Sequence, residues 1–343
     1  MTMMNFGKID HVILFGGAPL LSAFVQHLKQ RGMTVTVFSS KRHLDELMPR
    51  ENQTLEQILI RNEVPYFSCS DINDDPHIRS LVTDTTLGFG LGEAWSFRKD
   101  LIERFGGKLL DFMGIRLPRY RGGAHYTWQI LRRNRIGCCN LQIINKEMIQ
   151  GVFDSGEIIK SKEYFFPASA RIPQDYFDYA MTQEVTFLEE FIEEIKQGKV
   201  FSLSSVQENF SLYFPRLYTL NHGWIDWAWS GPDIGLFICA FDDPYAGAST
   251  LLGDKRVFLK DCLFDPDDGP FHPFQAGLVY KKANGALFVA TKEGTLIVKK
   301  ILSENGANLF DTVRIGQRLF TPGKYLEYAM TYSAVYDAEG IKK

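Results

Sequence analysis

The residues best placed to do chemistry crowd into one stretch, 109–159, LLDFMGIRLPRYRGGAHYTWQILRRNRIGCCNLQIINKEMIQGVFDSGEII. An apolar run of strand length leads into Arg116 and then Leu117-Pro118-Arg119-Tyr120-Arg121-Gly122-Gly123. Arg116, Arg119 and Arg121 are either solvated cations or contacts for an anionic group, since a guanidinium matches phosphate or carboxylate geometry. His125 falls in the first turn of the helix that follows, beside the carboxyl end of the strand, where sites of α/β proteins form. It is a proton-transfer candidate or a first-turn histidine that meets a substrate. Asp154, just ahead of Gly156, reads by itself as a turn aspartate capping a loop. The turn Gly16-Gly17 continues as Ala-Pro-Leu-Leu and lacks the G-x-G-x-x-G spacing of a dinucleotide site, so a tight strand-to-helix turn explains it.

These residues need elements to hold them. Residues 11–15 form a short apolar run, 20–31 carry apolar residues at a helical period ending at Gly32, and 33–38 form a second strand-like run. That is a βαβ unit, the opening of a doubly wound parallel sheet. Helices over 54–61, 78–82, 97–105 and 128–133 alternate with strands over 64–67, 85–89, 108–112 and 136–144, the second of which ends in the glycine loop 88–92. A strand over 157–165 and a long amphipathic helix over 174–197 complete this part. Residues 201–219, with Pro215, read as a linker. Beyond Trp224, short strands separated by Gly and Asp, preceded by a helix over 231–240, describe a small β-barrel. The expected division is a catalytic α/β domain over 1–200, the linker, and a barrel domain over 220–343.

The composition is that of a globular protein: 343 residues, 45% hydrophobic and 23% charged. Twenty-seven Phe, 14 Tyr and 5 Trp are ample for packed cores and exclude a disordered chain. A net charge of −3 gives no general attraction to nucleic acid. Five cysteines without a C-x-x-C pair predict free thiols in a reducing cytoplasm, with neither a disulfide framework nor a metal site. No secretory signal and no transmembrane stretch is expected, so no membrane partner follows.

The L-P-x-Y-R-G block, followed by Phe153-Asp154-Ser155-Gly156-Glu157-Ile158-Ile159, resembles the folate-dependent formyltransferases. Tyr213-Phe214-Pro215-Arg216, Gly223-Trp224-Ile225-Asp226-Trp227 and the stretch 240–248 are similar to the C-terminal domain of methionyl-tRNA formyltransferases. The resemblance implies a Rossmann-like catalytic domain, an OB-like barrel, and N10-formyltetrahydrofolate as the formyl donor. It also implies that Asp154 helps move a proton, and that the glycine loop Gly88, Phe89, Gly90, Leu91, with Met113, Leu117 and Val152, lines the folate side. Arg116, unusual for the family, is expected to meet an acceptor phosphate; Arg121, part of the family block, either structures the loop or contacts the acceptor.

One departure stands out. The family's Asn-x-His pair, which faces the developing oxyanion, aligns with Asp111 and Met113, and its H-P-S-L-L-P becomes Met113-Gly114-Ile115-Arg116-Leu117-Pro118. Methionine offers no proton to an oxyanion. Two carboxylates sharing a pocket raise one pKa, so a protonated Asp111 becomes a hydrogen-bond donor. His125 is the nearest replacement for the lost histidine. The loop after the second strand, Ser39-Ser40-Lys41-Arg42-His43-Leu44-Asp45-Glu46-Leu47, is mixed in charge and the C-terminal half is net negative, which speaks against tRNA. The expected acceptor is the primary amine of a small molecule such as a nucleotide-linked amino sugar, with tRNA as runner-up. A non-catalytic homologue that binds folate or an amine is the other alternative.

Overall fold

In the computed structural model, which describes residues 2–48, 51–145, 156–337 and 340–342, β1 (His11–Gly16), α1 (Pro19–Gln30) and β2 (Thr34–Ser39) form the expected βαβ unit. Pro19 opens α1, where its missing N–H costs nothing, and Gly32, at φ 70°, ends it. β3 (Tyr66–Ser68), β4 (Thr86–Leu91), α2 (Lys99–Arg104) and β5 (Leu109–Met113) follow. A two-residue strand, β6 (Arg121–Gly122), then leads to α3 (His125–Leu131), β7 (Ile136–Ile143), β8 (Ile158–Phe165) and the long α4 (Pro173–Lys196).

Seven of these strands make one sheet, in the order β8-β7-β5-β4-β1-β2-β3. The five strands from β3 to β5 run parallel; β7 and β8 are added antiparallel. The chain winds outward from β1 in one direction and from β4 in the other. The carboxyl ends of β1 and β4 therefore flank the crevice in which such sheets bind ligands. On one face Val12, Leu14, Phe89, Leu110 and Phe112 pack under α1 and α4, against Phe24, Phe187 and Phe191. On the other, Ile13, Phe15, Phe38 and Leu109 pack under α2.

The sequence expectation for 88–92 needs correction. Gly88, Phe89, Gly90 and Leu91 are not a loop but the second half of β4, all buried. Phe89 and Leu91 point into the α1/α4 core, with Phe89 edge-on to Phe24 at 5.5 Å. Both are core side chains rather than loop side chains. Alternation explains this: Gly88 and Gly90 occupy the other face, where a Cβ on Gly88 would strike Leu109 and Phe105.

The predicted linker is partly ordered as β9 (Tyr213–Phe214), which pairs in parallel with β6. Then come α5 (Gly231–Ala240), as expected, β10 (Ala248–Leu252), β11 (Lys255–Asp265), β12 (Val279–Ala283), β13 (Ala286–Thr291), β14 (Gly294–Ser303), β15 (Leu319–Phe320) and α6 (Gly323–Thr331). These strands form a curled antiparallel sheet, β12-β13-β14-β11-β10-β15, whose two ends meet through the Leu278–Arg318 bridge. The two halves touch through α3 and α5: Thr127 Oγ1 donates to the Ala240 carbonyl at 3.0 Å. All five cysteines are free thiols, and no helix among the described residues is long and apolar enough to cross a membrane.

Candidate functional site

β5 ends the parallel run, and its alternation decides what faces what. Leu110 and Phe112 lie in the α1/α4 core, so Asp111 and Met113 point to the opposite face. The antiparallel register places Gln142 of β7 directly beside Asp111 and Asn140 beside Met113. Asp111 is 6% exposed, and Gln142 Nε2 donates to its Oδ2 at 2.9 Å. On the other side Asp111 is in register with Gly90. A Cβ at Gly90 would come within 2.7 Å of Glu93 Oε2, so the missing side chain leaves room for that carboxyl on Asp111's face. Asn140 Nδ2 donates to the Ile115 carbonyl and ties down the turn that leaves β5. The cluster thus holds two carboxyls and two carboxamides at the carboxyl end of the sheet, and its carboxyls are able to take a proton from an amine.

Met113 and Leu117 are half-buried on the strand end and the turn that follow Asp111. Asp154 and Val152 lie outside the described residues. The chain returns at Gly156, whose missing side chain lets it lie against the Ile143 carbonyl, and Ile143 N donates to Glu157 O at 3.0 Å.

The arginines are engaged elsewhere. Arg121, its side chain 11% exposed, is held by Glu208 through Nη1 and Nη2 at 2.5 and 2.7 Å, and by Ser211 Oγ at 3.0 Å. It fastens the linker onto the motif loop, the structuring role the sequence left open for it beside an acceptor contact. Arg116 pairs with Glu163 of β8 at 2.6 Å. His125 Nε2 lies 3.2 Å from the Gly122 carbonyl, to which it donates. Burial pushes its pKa down to about 4, and the nearby Arg216 adds to the shift. It is a neutral ring committed to its own loop, so the structure gives no support to His125 as a donor in place of the lost histidine.

A further acid was not foreseen. Glu184 of α4 is 8% exposed, and one of its oxygens lies 2.7 Å from where a Cβ on Gly114 would sit. Burial raises its pKa to about 7, opposed in part by a hydrogen bond from Tyr126. Tyr164 and Cys139 share this pocket, and burial raises the pKa of both. Gln142, Asn140, Glu93 and Glu184 all went unnoticed in the sequence. The available signal was polarity out of place: Asn140 and Gln142 alternate within a buried strand, and Glu184 interrupts the apolar stripe Tyr176, Ala180, Met181, Phe187, Leu188. Among the described residues no group of three or more His, Cys, Asp or Glu is gathered as for a metal ion.

Residues 219–309 match the formyl transferase C-terminal domain. A methionyl-tRNA formyltransferase of Mycoplasma pneumoniae is 28% identical over 160 residues, 45% of this chain and 49% of that protein, so the match spans about half the length of this curated relative. Among solved structures, an N-formyltransferase from Helicobacter canadensis in complex with folinic acid and dTDP-3-aminofucose superposes with a TM-score of 0.62 at 15% identity, over 85% of this chain and 98% of that one. HypX from Aquifex aeolicus in complex with tetrahydrofolic acid gives 0.57 at 15% identity, over 95% of this chain and 48% of that one. The class follows: a Rossmann-like sheet joined to a formyl transferase C-terminal domain. Residues 219–309 thus carry the formyl transferase C-terminal domain, and the chain shares the fold of the solved N-formyltransferase.

Proposed function

We propose that this protein transfers the formyl group of N10-formyltetrahydrofolate to the primary amine of a small molecule, a nucleotide-linked amino sugar being the best candidate. Residues 1–200 form the catalytic part in this reading and residues 220–343 the barrel part, in a cytoplasmic protein. The observation that carries it is Asp111: a carboxylate at the carboxyl end of the sheet, nearly buried, and held by an amide from the neighbouring strand. Such a group takes a proton from an amine as its nitrogen bonds to the formyl carbon. The carbon–N10 bond then breaks and N10 takes up a proton, giving a formamide and tetrahydrofolate. Asp154 is proposed to assist this proton movement. Gly90, Met113 and Leu117 are proposed to border the folate, with the Glu93 carboxyl filling the space beside Gly90.

A second reading has one observation in its favour. Met113 stands where the family keeps a histidine, and losing one oxyanion donor costs roughly 10²–10³ in rate. A protein that binds folate and amine without turnover fits that loss. One experiment separates the two: purified protein, N10-formyltetrahydrofolate and a panel of aminosugar nucleotides, followed by tetrahydrofolate release. Acceptor-dependent release supports transfer. Saturable binding of both ligands without release supports the second reading, and absence of folate binding overturns both.

A further inference from the structure

Gln142 is fully buried, and its two polar atoms have different fates. The Nε2 end faces Asp111, which fixes the orientation of the amide because a carboxylate only accepts. The Oε1 end is buried with no hydrogen-bond partner among the described residues. A buried carbonyl oxygen without a donor is costly and rare, and at the carboxyl end of an α/β sheet it points to a ligand that brings the donor. The place is specific: Gln142 stands in register with Asp111, at an irregularity of β7 where the pairing with β8 shifts between Leu141 and Gln142.

We infer that Gln142 is a binding residue for the acceptor, its side-chain oxygen taking one N–H of the amine while Asp111 takes the other. This inference rests on the formyl-transfer reading. A primary amine has two N–H bonds and one lone pair. With one N–H on the carboxamide oxygen and one directed at the carboxylate, the lone pair is turned away from both, toward an electrophile. As the carbon–nitrogen bond forms, the hydrogen facing Asp111 leaves as a proton to that carboxylate. The hydrogen facing Gln142 stays on the nitrogen and becomes the N–H of the formamide. Gln142 therefore selects amines with two hydrogens over N-substituted ones, and it returns to this chain a carboxamide that the Asn-to-Asp change removed from β5.

The test uses the full-length protein, an aminosugar nucleotide accepted by the wild type, and its N-methyl analogue. The N-methyl analogue binds the wild type about ten-fold more weakly than the parent amine, and Gln142→Leu erases that difference while raising the KM for the amine about ten-fold. Gln142→Asn, which keeps a shorter carboxamide, recovers part of the affinity. The KM for the formyl donor is unchanged in each. An unchanged amine affinity in Gln142→Leu, or a weakened donor instead, overturns the inference by giving the oxygen no role or a place on the folate side. Calorimetric titration of amine into the wild type keeps this apart from the functional reading. Amine binding that discriminates the N-methyl analogue without any transfer supports the role of Gln142 and refutes transfer. Transfer with no discrimination does the reverse. The wild-type comparison between the two amines stands even if a Gln142 variant does not fold.

Discussion

Replacing Glu184 by Gln removes a charge without removing shape or the hydrogen bond from the Tyr126 hydroxyl, so it isolates what ionisation of that carboxyl does to the fold. In the unfolded chain the group titrates near its ordinary 4.5; in the folded protein burial raises it to about 7. Below pH 4.5 both states are protonated and there is no penalty. As pH rises from 4.5 toward 7 the unfolded state ionises while the folded state does not, and stability falls. Above 7 the loss is complete. A displacement from 4.5 to about 7 corresponds to about 3 kcal/mol. Glu184→Gln is therefore more stable than wild type by about 3 kcal/mol at pH 8 and by almost nothing at pH 4.

The assay is urea unfolding of both proteins at pH 4, 6 and 8, and the quantity of interest is the difference between them. The subtraction removes every other titrating group, including His125, whose pKa moves the opposite way. The groups facing the carboxyl are Tyr126 from α3, Cys139 from β7 and Tyr164 from β8, with pKa values raised by burial, so none changes charge across this window. A difference independent of pH, or a variant less stable than wild type at pH 8, refutes the reasoning: the carboxyl would then be ionised in the fold and supported by partners.

Restoring the family's histidine with Met113→His raises formyl transfer by about ten-fold or more, measured as tetrahydrofolate release, since one oxyanion donor returns, whereas Asp111→Asn removes the proposed proton acceptor and lowers it. Gly122→Ala lowers stability by about 2–4 kcal/mol in urea unfolding, because Gly122 sits at φ 108° with its missing side chain against the Phe214 carbonyl. Glu208→Gln weakens the pair that holds Arg121, which itself lowers the Glu208 pKa, and limited proteolysis then cuts the 203–218 stretch faster than in wild type. The His125 ring stays neutral down to about pH 4, so its NMR resonances do not titrate between pH 6 and 9. The stability that burial of the neutral ring implies is present above its ordinary 6.5 and is lost as pH falls from there toward 4.

Local pattern was enough for the scaffold. Leu20, Leu21, Phe24, Val25 and Leu28 sit on α1 at a helical period and are all buried, and the helix 231–240 appears where its apolar run and Gly-Pro start put it. The glycine string 88–92 misled because glycine was taken as loop chemistry. Gly88 and Gly90 alternate with Phe89 and Leu91, which is the pattern of a strand whose bare face lies against neighbouring side chains. Two of the chemical groups were legible as types but not as neighbours. Asp111 stood out by alignment, yet its partner Gln142 lies 31 residues on, and only the β5–β7 register brings them together. Arg121 carried a charge that suited a loop contact or an anion, but its partner Glu208 lies 87 residues on, beyond any local pattern.

The Arg121–Glu208 pair also bears on how the proposed halves relate. The motif loop between β5 and α3 is not held by the first sheet alone. Leu212 N donates to the Pro118 carbonyl, Arg121 N to the Leu212 carbonyl and Gly123 N to the Phe214 carbonyl. Trp128 Nε1 donates to Pro215 O at 2.9 Å, and Tyr120 stacks on Phe214 with ring centroids 5.2 Å apart. Every one of these partners lies beyond residue 200. The proposed boundary at that point runs through the support of the loop that follows Asp111. A guanidinium as buried as that of Arg121 would lose its counter-charge, and three backbone N–H or C=O groups of the loop would lose their partners. The linker is thus part of the site's framework, which gives a physical reason for the second domain to accompany the first even where the chemistry is confined to the parallel sheet.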